Sequence, residues 1–484
     1  MALSYTKLWN LLSERGLRKN ELSKLSGISQ STMAKLTKGE NVNTEVLEKI
    51  CRVLECDIAD IVTLSDKPTD CTENYKRIYD QKWNFKGGSM KALVHGLHPY
   101  PAMMMPLIAR AMFKKYGKKK ETVFLDPYVG SGTTLVEAQY YGAKKAIGVD
   151  LNPLAILLSR TKTEKIDLLK IENRIREFEE FLWREETVKP PEFSIRDSWF
   201  NPKTIQDLAK IRAFILTLTD GDEIDFFKTA FSEVVRNVSE TRNGEFKLYR
   251  MSKAALKKFN PQAIQQFIEV IHRNFSILRS VRYRKNTEIQ LLTEDTARLS
   301  EYPDLTGTVD LVITSPPYGD SHTTVAYGQF SRLSNEWLEF GDAATLDRRL
   351  LGGMKGQDRT FGIPELDAAI EEIKAKDLKF NRDRGWEVVS FYNDYEQSVE
   401  AVAQTVKQGG YVVYVVGNRR VRNVELPLDV ITYKMFAKWG FEHIITHVRD
   451  ILNKRMPNKA SPPDAEGGQI ATMTREYIVV MRKK

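Results

Sequence analysis

The stretch that most narrows what this chain can fold into is ETVFLDPYVGSGTTLVEAQYYGAKKAIGVDLNPLA, residues 121 to 155. An apolar run closes at Asp126, a loop follows with glycines at 130 and 132, helical periodicity takes over, and a second apolar run ends at Asp150. Strand, tight loop, helix and strand in that order open a doubly wound parallel sheet. The glycines permit a sharp turn and a close approach of backbone to ligand. Their spacing, G-x-G-T-T, lacks the third glycine of a pyrophosphate-binding loop, and no G-K-[ST] follows. A ligand without phosphates is therefore expected.

Three aspartates suggest its chemistry. Asp126, ahead of the loop, is placed to accept from an ammonium group, and Asp150, at the end of the second strand, to take both hydroxyls of a ribose. Asp295 follows the next core strand, where a purine amino group can donate to it. Each alone is more often a helix cap or turn residue, but their order describes S-adenosylmethionine. The sheet resumes in EIQLLTEDTARL, VDLVITSPPYGD, GYVVYVVGNRRV, FEHIITHVRD and EYIVVMRKK, which makes seven strands with the last two as a hairpin.

The run Val309 to Ile313 is apolar and β-branched, and it ends in TSPPY. Two prolines fix φ twice and remove two amide donors. The result is either a plain strand stop or a rigid acceptor platform, with the Ser315 hydroxyl before it and the Tyr318 ring after it.

Together, DPYVGSGTT and TSPPY resemble the motifs of the amino-methylating DNA methyltransferases, which carry D-P-F-x-G-S-G-T-T and (N/D/S)-P-P-(Y/F). The resemblance covers roughly residues 95 to 160 and 287 to 484. It implies an α/β fold: a class I S-adenosylmethionine-dependent methyltransferase, Rossmann-like with a seven-stranded sheet, carrying helical insertions. It also implies cofactor contacts from Asp126, Pro127, Tyr128, Gly130, Ser131, Gly132, Thr133, Thr134, Asp150 and Asp295, and a target base held by Ser315, Pro316, Pro317 and Tyr318. HPYPAMMMP resembles the segment that packs over the methionine end.

An exocyclic amino nitrogen is a poor nucleophile because its lone pair is delocalised into the ring. The Ser315 hydroxyl and the Pro316 carbonyl can accept its two hydrogens and turn the lone pair toward the methyl donor, so that placement and local electrostatics carry catalysis. Tyr318 would stack on a base flipped out of the duplex. Serine at the first motif position resembles the cytosine-N4 enzymes; Asn or Asp is commoner in the adenine-N6 enzymes, which stay as the alternative. None of Cys51, Cys56 and Cys71 follows a proline, against cytosine C5 chemistry, and none has metal-ligand spacing.

The first residues have helix-turn-helix spacing. In NELSKLSGISQSTMAKLTKGE, Leu22, Leu25 and Ile28 share an apolar face, Gly27 marks the turn, Ser29 caps the next helix, and Gly39 ends it. This resembles the Cro/cI-like DNA-binding domain and implies that Ser29, Gln30, Ser31, Thr32 and Lys35 front the recognition helix. The alternative is a bundle for dimerisation or docking.

We expect a DNA-binding domain over 1–66, a linker over 67–90, and a catalytic core over 91–160 and 286–484. A helical insertion fills 161–285, with Arg242, Lys247 and Arg250 as DNA contacts beside Tyr249, Lys253, Lys257 and Lys258. A second insertion, 320–395, is a lid or target-recognition region with Gly352, Gly353 and Gly356 as hinges. The formal charge of +9 suits a polyanionic partner. The expected partners are double-stranded DNA and a separately encoded restriction endonuclease. With no apolar run of membrane-spanning length and no cleavable signal, a cytoplasmic location is expected. A different class of reading is a repressor whose methyltransferase portion only senses a ligand.

Overall fold

The computed structural model describes residues 3–15, 17, 19–37, 41–64, 75–185, 188–242, 246–281, 286–319, 326–378, 383–451 and 473–484. They fall into two compact units, Met1–Tyr79 and Asp80–Lys484.

The described residues of the smaller unit form five helices: α1 Thr6–Glu14, α2 Lys19–Ser26, α3 Gln30–Thr37, α4 Thr44–Val53 and α5 Ile58–Ile61. Leu8, Leu22, Met33, Leu36, Leu47 and Ile50 are among its core residues. Gly27 takes φ +62°, which ends α2 without a Cβ penalty. Ser29 caps α3 by accepting from the Thr32 amide at 3.1 Å. One expectation fails: Leu25 is 60% exposed. The inward face of α2 is instead Leu22, Ser23 and Ser26, whose small side chains permit close packing. The Ser23 hydroxyl donates to the Ile28 carbonyl at 2.8 Å and so braces the turn. Gly39 and Cys71 lie outside the described residues.

The larger unit is built on strands β1 Val123–Asp126, β2 Lys145–Val149, β3 Glu288–Leu292, β4 Val309–Thr314, β5 Val406–Val416, β6 Phe441–Asp450 and β7 Arg475–Lys483. They lie in the order β6-β7-β5-β4-β1-β2-β3. Strands β1 to β5 run parallel, while β7 inserts antiparallel between β5 and β6. The parallel strands followed by an antiparallel terminal pair are the arrangement expected from the sequence. Neighbours along each strand fall into opposite cores: Phe124, Ala146, Leu311 and Val413 on one face, Leu125, Ile147, Val312 and Val412 on the other. The period of two explains why these strands read as unbroken apolar runs, since both faces are covered.

Helices α6 Pro106–Tyr116 and α7 Thr133–Tyr141 cover the first face. The stretch expected as linker contributes to that core too: Trp83 is buried and stacks on His447, with centroids 4.5 Å apart. A ring and a long-range hydrogen bond, from the Asp450 amide to Asn84 Oδ1 at 2.8 Å, anchor what composition marks as polar chain.

A third core lies within the helical region. It joins α8 Pro153–Thr163, α9 Leu168–Phe181, α10 Pro202–Thr217, α11 Gly221–Asn237, α12 Ala263–Ser280 and α13 Tyr327–Trp337. Phe178 meets Phe214 and Phe267 edge to face at 5.1 and 5.0 Å. The opposite sheet face is covered by α14 Pro364–Asp377, α15 Arg384–Thr405 and α16 Leu428–Ala437. Residues 384–395, expected within an insertion, are thus the first half of a core helix. Two of the three expected hinge glycines are close-packed: a Cβ on Gly353 would stand 2.3 Å from the Asp347 carbonyl oxygen, and one on Gly356 2.5 Å from Asn393 Nδ2. Among the described residues no helix is long and apolar enough to cross a membrane.

Candidate active site

Parallel strands leave their carboxyl ends on one edge of the sheet, and ligands bind in the crevice there. In this chain the crevice is lined by Asp126–Ser131 after β1, Asp150–Asn152 after β2, Glu294–Thr296 after β3, and Ser315 with Pro317 after β4. Tyr100–Met104 ahead of α6, Tyr327 at the start of α13, and Arg349–Leu351 close it. Of the residues expected from sequence, Asp126, Pro127, Tyr128, Gly130, Ser131, Thr133, Thr134, Asp150, Asp295, Ser315 and Pro317 meet in this one cavity. Gly132, Pro316 and Tyr318 are not on its wall.

Asp126 is buried and ties three elements together. It accepts from the Tyr128 amide at 3.0 Å, from the Thr314 hydroxyl at 2.5 Å and from the Thr134 hydroxyl. Burial raises its pKa to about 6. Asp150 accepts from the Gly130 and Asn152 amides, each at 2.9 Å, and burial likewise raises it to about 6. Each Asp150 oxygen keeps a second lone pair. Asp295 caps a short 3-10 turn by accepting from the Ala297 amide at 2.9 Å.

The two glycines of the loop differ. Gly130 has φ +49°, and a Cβ there would meet only Tyr100 at 3.6 Å. Gly132 has φ +78°, and its Cβ would stand 2.9 Å from the Ser159 Cα in α8. Gly132 therefore permits close helix packing behind the loop. The buried Ser131 hydroxyl has no protein partner and belongs to the cavity wall.

The proline platform is half-buried, and its hydroxyl is organised from behind. Ser315 Oγ lies 3.0 Å from the Tyr318 hydroxyl, which donates to Glu476 Oε1 at 3.3 Å. Glu476 Oε2 accepts from Arg449 at 2.9 Å. The Tyr318 ring packs beside Gly417 of the sheet edge, where an added Cβ would stand 2.9 Å from it. Tyr100 and Tyr327 lie nearly parallel on the cavity wall, 6.2 Å apart at 25°.

Sequence reasoning missed several members. Asn152 donates to the Tyr100 hydroxyl at 3.2 Å and to Ser331 at 3.0 Å, holding the wall together. Lys162 is buried, donates to the Ser131 carbonyl at 2.8 Å, and is pushed down to about 7 by burial. A lysine on the apolar helix PLAILLSRTKT was the available signal. Glu476 and Arg449 left none, because they meet across a strand pair.

The residues proposed to face DNA are exposed or half-buried on α3: Ser29, Gln30, Ser31, Thr32 and Lys35. Gln30 is partly committed, donating to Ser23 at 3.2 Å. In the larger unit, the Arg242 amide donates to the Tyr249 carbonyl at 2.8 Å, next to Arg250. Arg250 is paired with Glu240 at 2.6 Å. Lys247 precedes Leu248, whose amide donates to Gln329 of α13 at 3.3 Å.

Residues 7–67 match the Cro/C1-type HTH DNA-binding domain, and residues 97–174 the RMKL-like methyltransferase domain. A type II methyltransferase of Kocuria varians, M.MvaI, is 35% identical over 440 residues, spanning 84% of this chain and 95% of that protein. The chain belongs to the type II methyltransferase family. A second type II methyltransferase, M.MjaII of Methanocaldococcus jannaschii, is 33% identical over 103 residues, 20% of this chain and 19% of that protein. The crystal structure of the transcriptional regulator VanUg is 50% identical over 13% of this chain and 83% of its own, with a TM-score of 0.13.

This type II methyltransferase uses S-adenosylmethionine as its methyl donor, and its cavity suits that group. Its wall carries the carboxylates of Asp126, Asp150, Glu294 and Asp295 and the unpartnered buried hydroxyl of Ser131. No phosphate cradle is present in the loop, in keeping with a phosphate-free cofactor.

Proposed function

We propose that the enzyme methylates the exocyclic N4 amino group of a cytosine flipped out of double-stranded DNA, as the modification enzyme of a restriction-modification system with a separately encoded endonuclease. The observation that carries this reading is that Ser315 and Pro317 share one cavity wall with the loop Asp126–Ser131. Two motifs far apart in the chain converge at the ends of adjacent strands, β1 and β4. When bound, S-adenosylmethionine supplies an electrophilic methyl group on a sulfonium. Asp126 and Asp150 would hold its ammonium and ribose, and Asp295 its adenine amino group. Ser315 and the Pro316 carbonyl would take the two amino hydrogens of the base, directing the nitrogen lone pair at the methyl. Tyr318 supports Ser315, and the wall tyrosines Tyr100 and Tyr327 are suited to cover the flipped ring.

Cofactor affinity should depend on pH. Asp126 and Asp150 are neutral below about pH 6 and ionised above it. An ammonium and a diol both favour the ionised acceptors, so affinity should rise as pH passes upward through that value. Calorimetry should show binding about tenfold weaker at about pH 5 than at about pH 7 for each carboxyl engaged.

Arg242, Lys247 and Arg250 would contact phosphates, since their loop docks on α13, whose first residue lines the cavity. The α3 residues would bind DNA for autoregulation or anchoring.

The test is to incubate the purified chain with S-adenosylmethionine and unmethylated genomic DNA, digest to nucleosides and identify the product by mass spectrometry. N4-methylcytosine supports the reading. N6-methyladenine keeps the enzyme and overturns the role given to serine at position 315; no methylated nucleoside despite cofactor binding favours the sensor-repressor. The same assay on a chain lacking residues 1–66 should show full methylation if that unit regulates, and a large loss if it anchors.

A further inference from the structure

Behind Ser315 runs a chain of polar contacts whose direction is set at its far end. Glu476 and Arg449 are cross-strand partners on β7 and β6, so the register of the hairpin fixes their meeting. Arg449, 7% exposed, donates to one carboxylate oxygen at 2.9 Å, and Tyr318 donates to the other at 3.3 Å. An ionised carboxylate only accepts. The Tyr318 proton therefore points at Glu476, which leaves the phenol oxygen to accept from Ser315 at 3.0 Å. With its own proton turned inward, the Ser315 oxygen presents lone pairs to the cavity. A serine hydroxyl by itself has no such preference.

Resting on the role given to Ser315 above, we infer that Glu476 is the terminal proton acceptor of the reaction, reached from the target amino group through Ser315 and Tyr318. Once the nitrogen lone pair has formed its bond to the methyl carbon, that nitrogen is positively charged and strongly acidic. Its N–H bond breaks to Ser315 Oγ, Ser315 passes its hydroxyl proton to the Tyr318 oxygen, and Tyr318 passes its own to Glu476 Oε1. One proton moves from base to carboxylate, both hydroxyls end as they began, and Arg449 stays charged. Among the described residues, the charged and titratable groups facing the relay are Arg449 from β6 and Tyr327, which lies near the Tyr318 phenol. Burial raises the Glu476 pKa against the opposing pull of Arg449, making the carboxylate a better proton acceptor than an exposed one.

A purely structural role, stapling the proline loop to the sheet edge, predicts lost stability without a changed pH profile. Single-turnover methylation of unmethylated genomic DNA at saturating S-adenosylmethionine separates the two. For the parent chain the rate should fall as Glu476 is protonated on the acid side. Glu476→Gln should lower the neutral-pH rate about 100-fold and flatten that acid limb, with cofactor and DNA affinity unchanged. Tyr318→Phe, which breaks the relay without touching the carboxylate, should give the same result and decides the matter if the glutamine variant melts early. A Glu476→Gln or Tyr318→Phe chain with parental rate and parental acid limb overturns the relay. Ser315→Ala run alongside keeps the two readings apart: an active alanine variant overturns the role of Ser315 itself, whereas an inactive one beside a fully active Glu476→Gln overturns only the relay.

Discussion

Ser315→Ala is expected to reduce the single-turnover rate of methyl transfer by roughly 10²- to 10³-fold, the size seen when one preorganised polar contact to a reacting group is removed. Cofactor affinity should stay within about twofold, because the carboxylates and the orphan hydroxyl proposed to hold the cofactor lie on other loops. The reason for a loss in rate and not in binding is that the serine oxygen is needed only when the amino nitrogen turns pyramidal. Rapid-quench turnover with equilibrium cofactor binding checks both halves. A drop in cofactor affinity that accounts for the whole loss would make Ser315 a binding residue instead.

The second large effect is on stability. Gly132→Ala should cost about 2–4 kcal/mol, the sum of a left-handed backbone forced on alanine and a clash into a packed helix. The clash is with backbone: the new Cβ would stand 2.9 Å from Ser159 Cα, and α7 and α8 would have to separate. Gly130→Ala, at φ +49° with only a 3.6 Å contact to Tyr100, should cost about 1 kcal/mol. Urea unfolding of the two variants tests the ranking, and equal midpoints would sink the packing argument. Because the loop opens α7, the first variant should also weaken cofactor binding, and the second should do so more modestly.

The two glycines show how far a motif can be read. Their spacing was enough to place the turn and its ligand edge. It assigned both to ligand approach, although one of them serves the helix behind. At Tyr318 the motif names the ring, and the fold sets it beside Gly417. On α2 the periodicity located the helix yet turned its face by one position, because Ser23 and Ser26 allow closer packing than Leu25 would. Trp83 was lost in a polar stretch for a related reason. A single buried ring among charged neighbours leaves no periodic trace.

Local pattern by itself determined the strands, the glycine turn, the proline platform, the Ser29 cap and the order of the three aspartates, because each depends on residues within one or two turns of chain. Only the tertiary structure decided which distant side chains share the cavity and what stands behind it. Tyr100 meets Tyr327, Lys162 reaches under Ser131, and Glu476 with Arg449 orients Tyr318 toward Ser315. These contacts arise from strand order and from register across an antiparallel pair. A shift of one residue in that pairing would send Glu476 to the other face of the sheet.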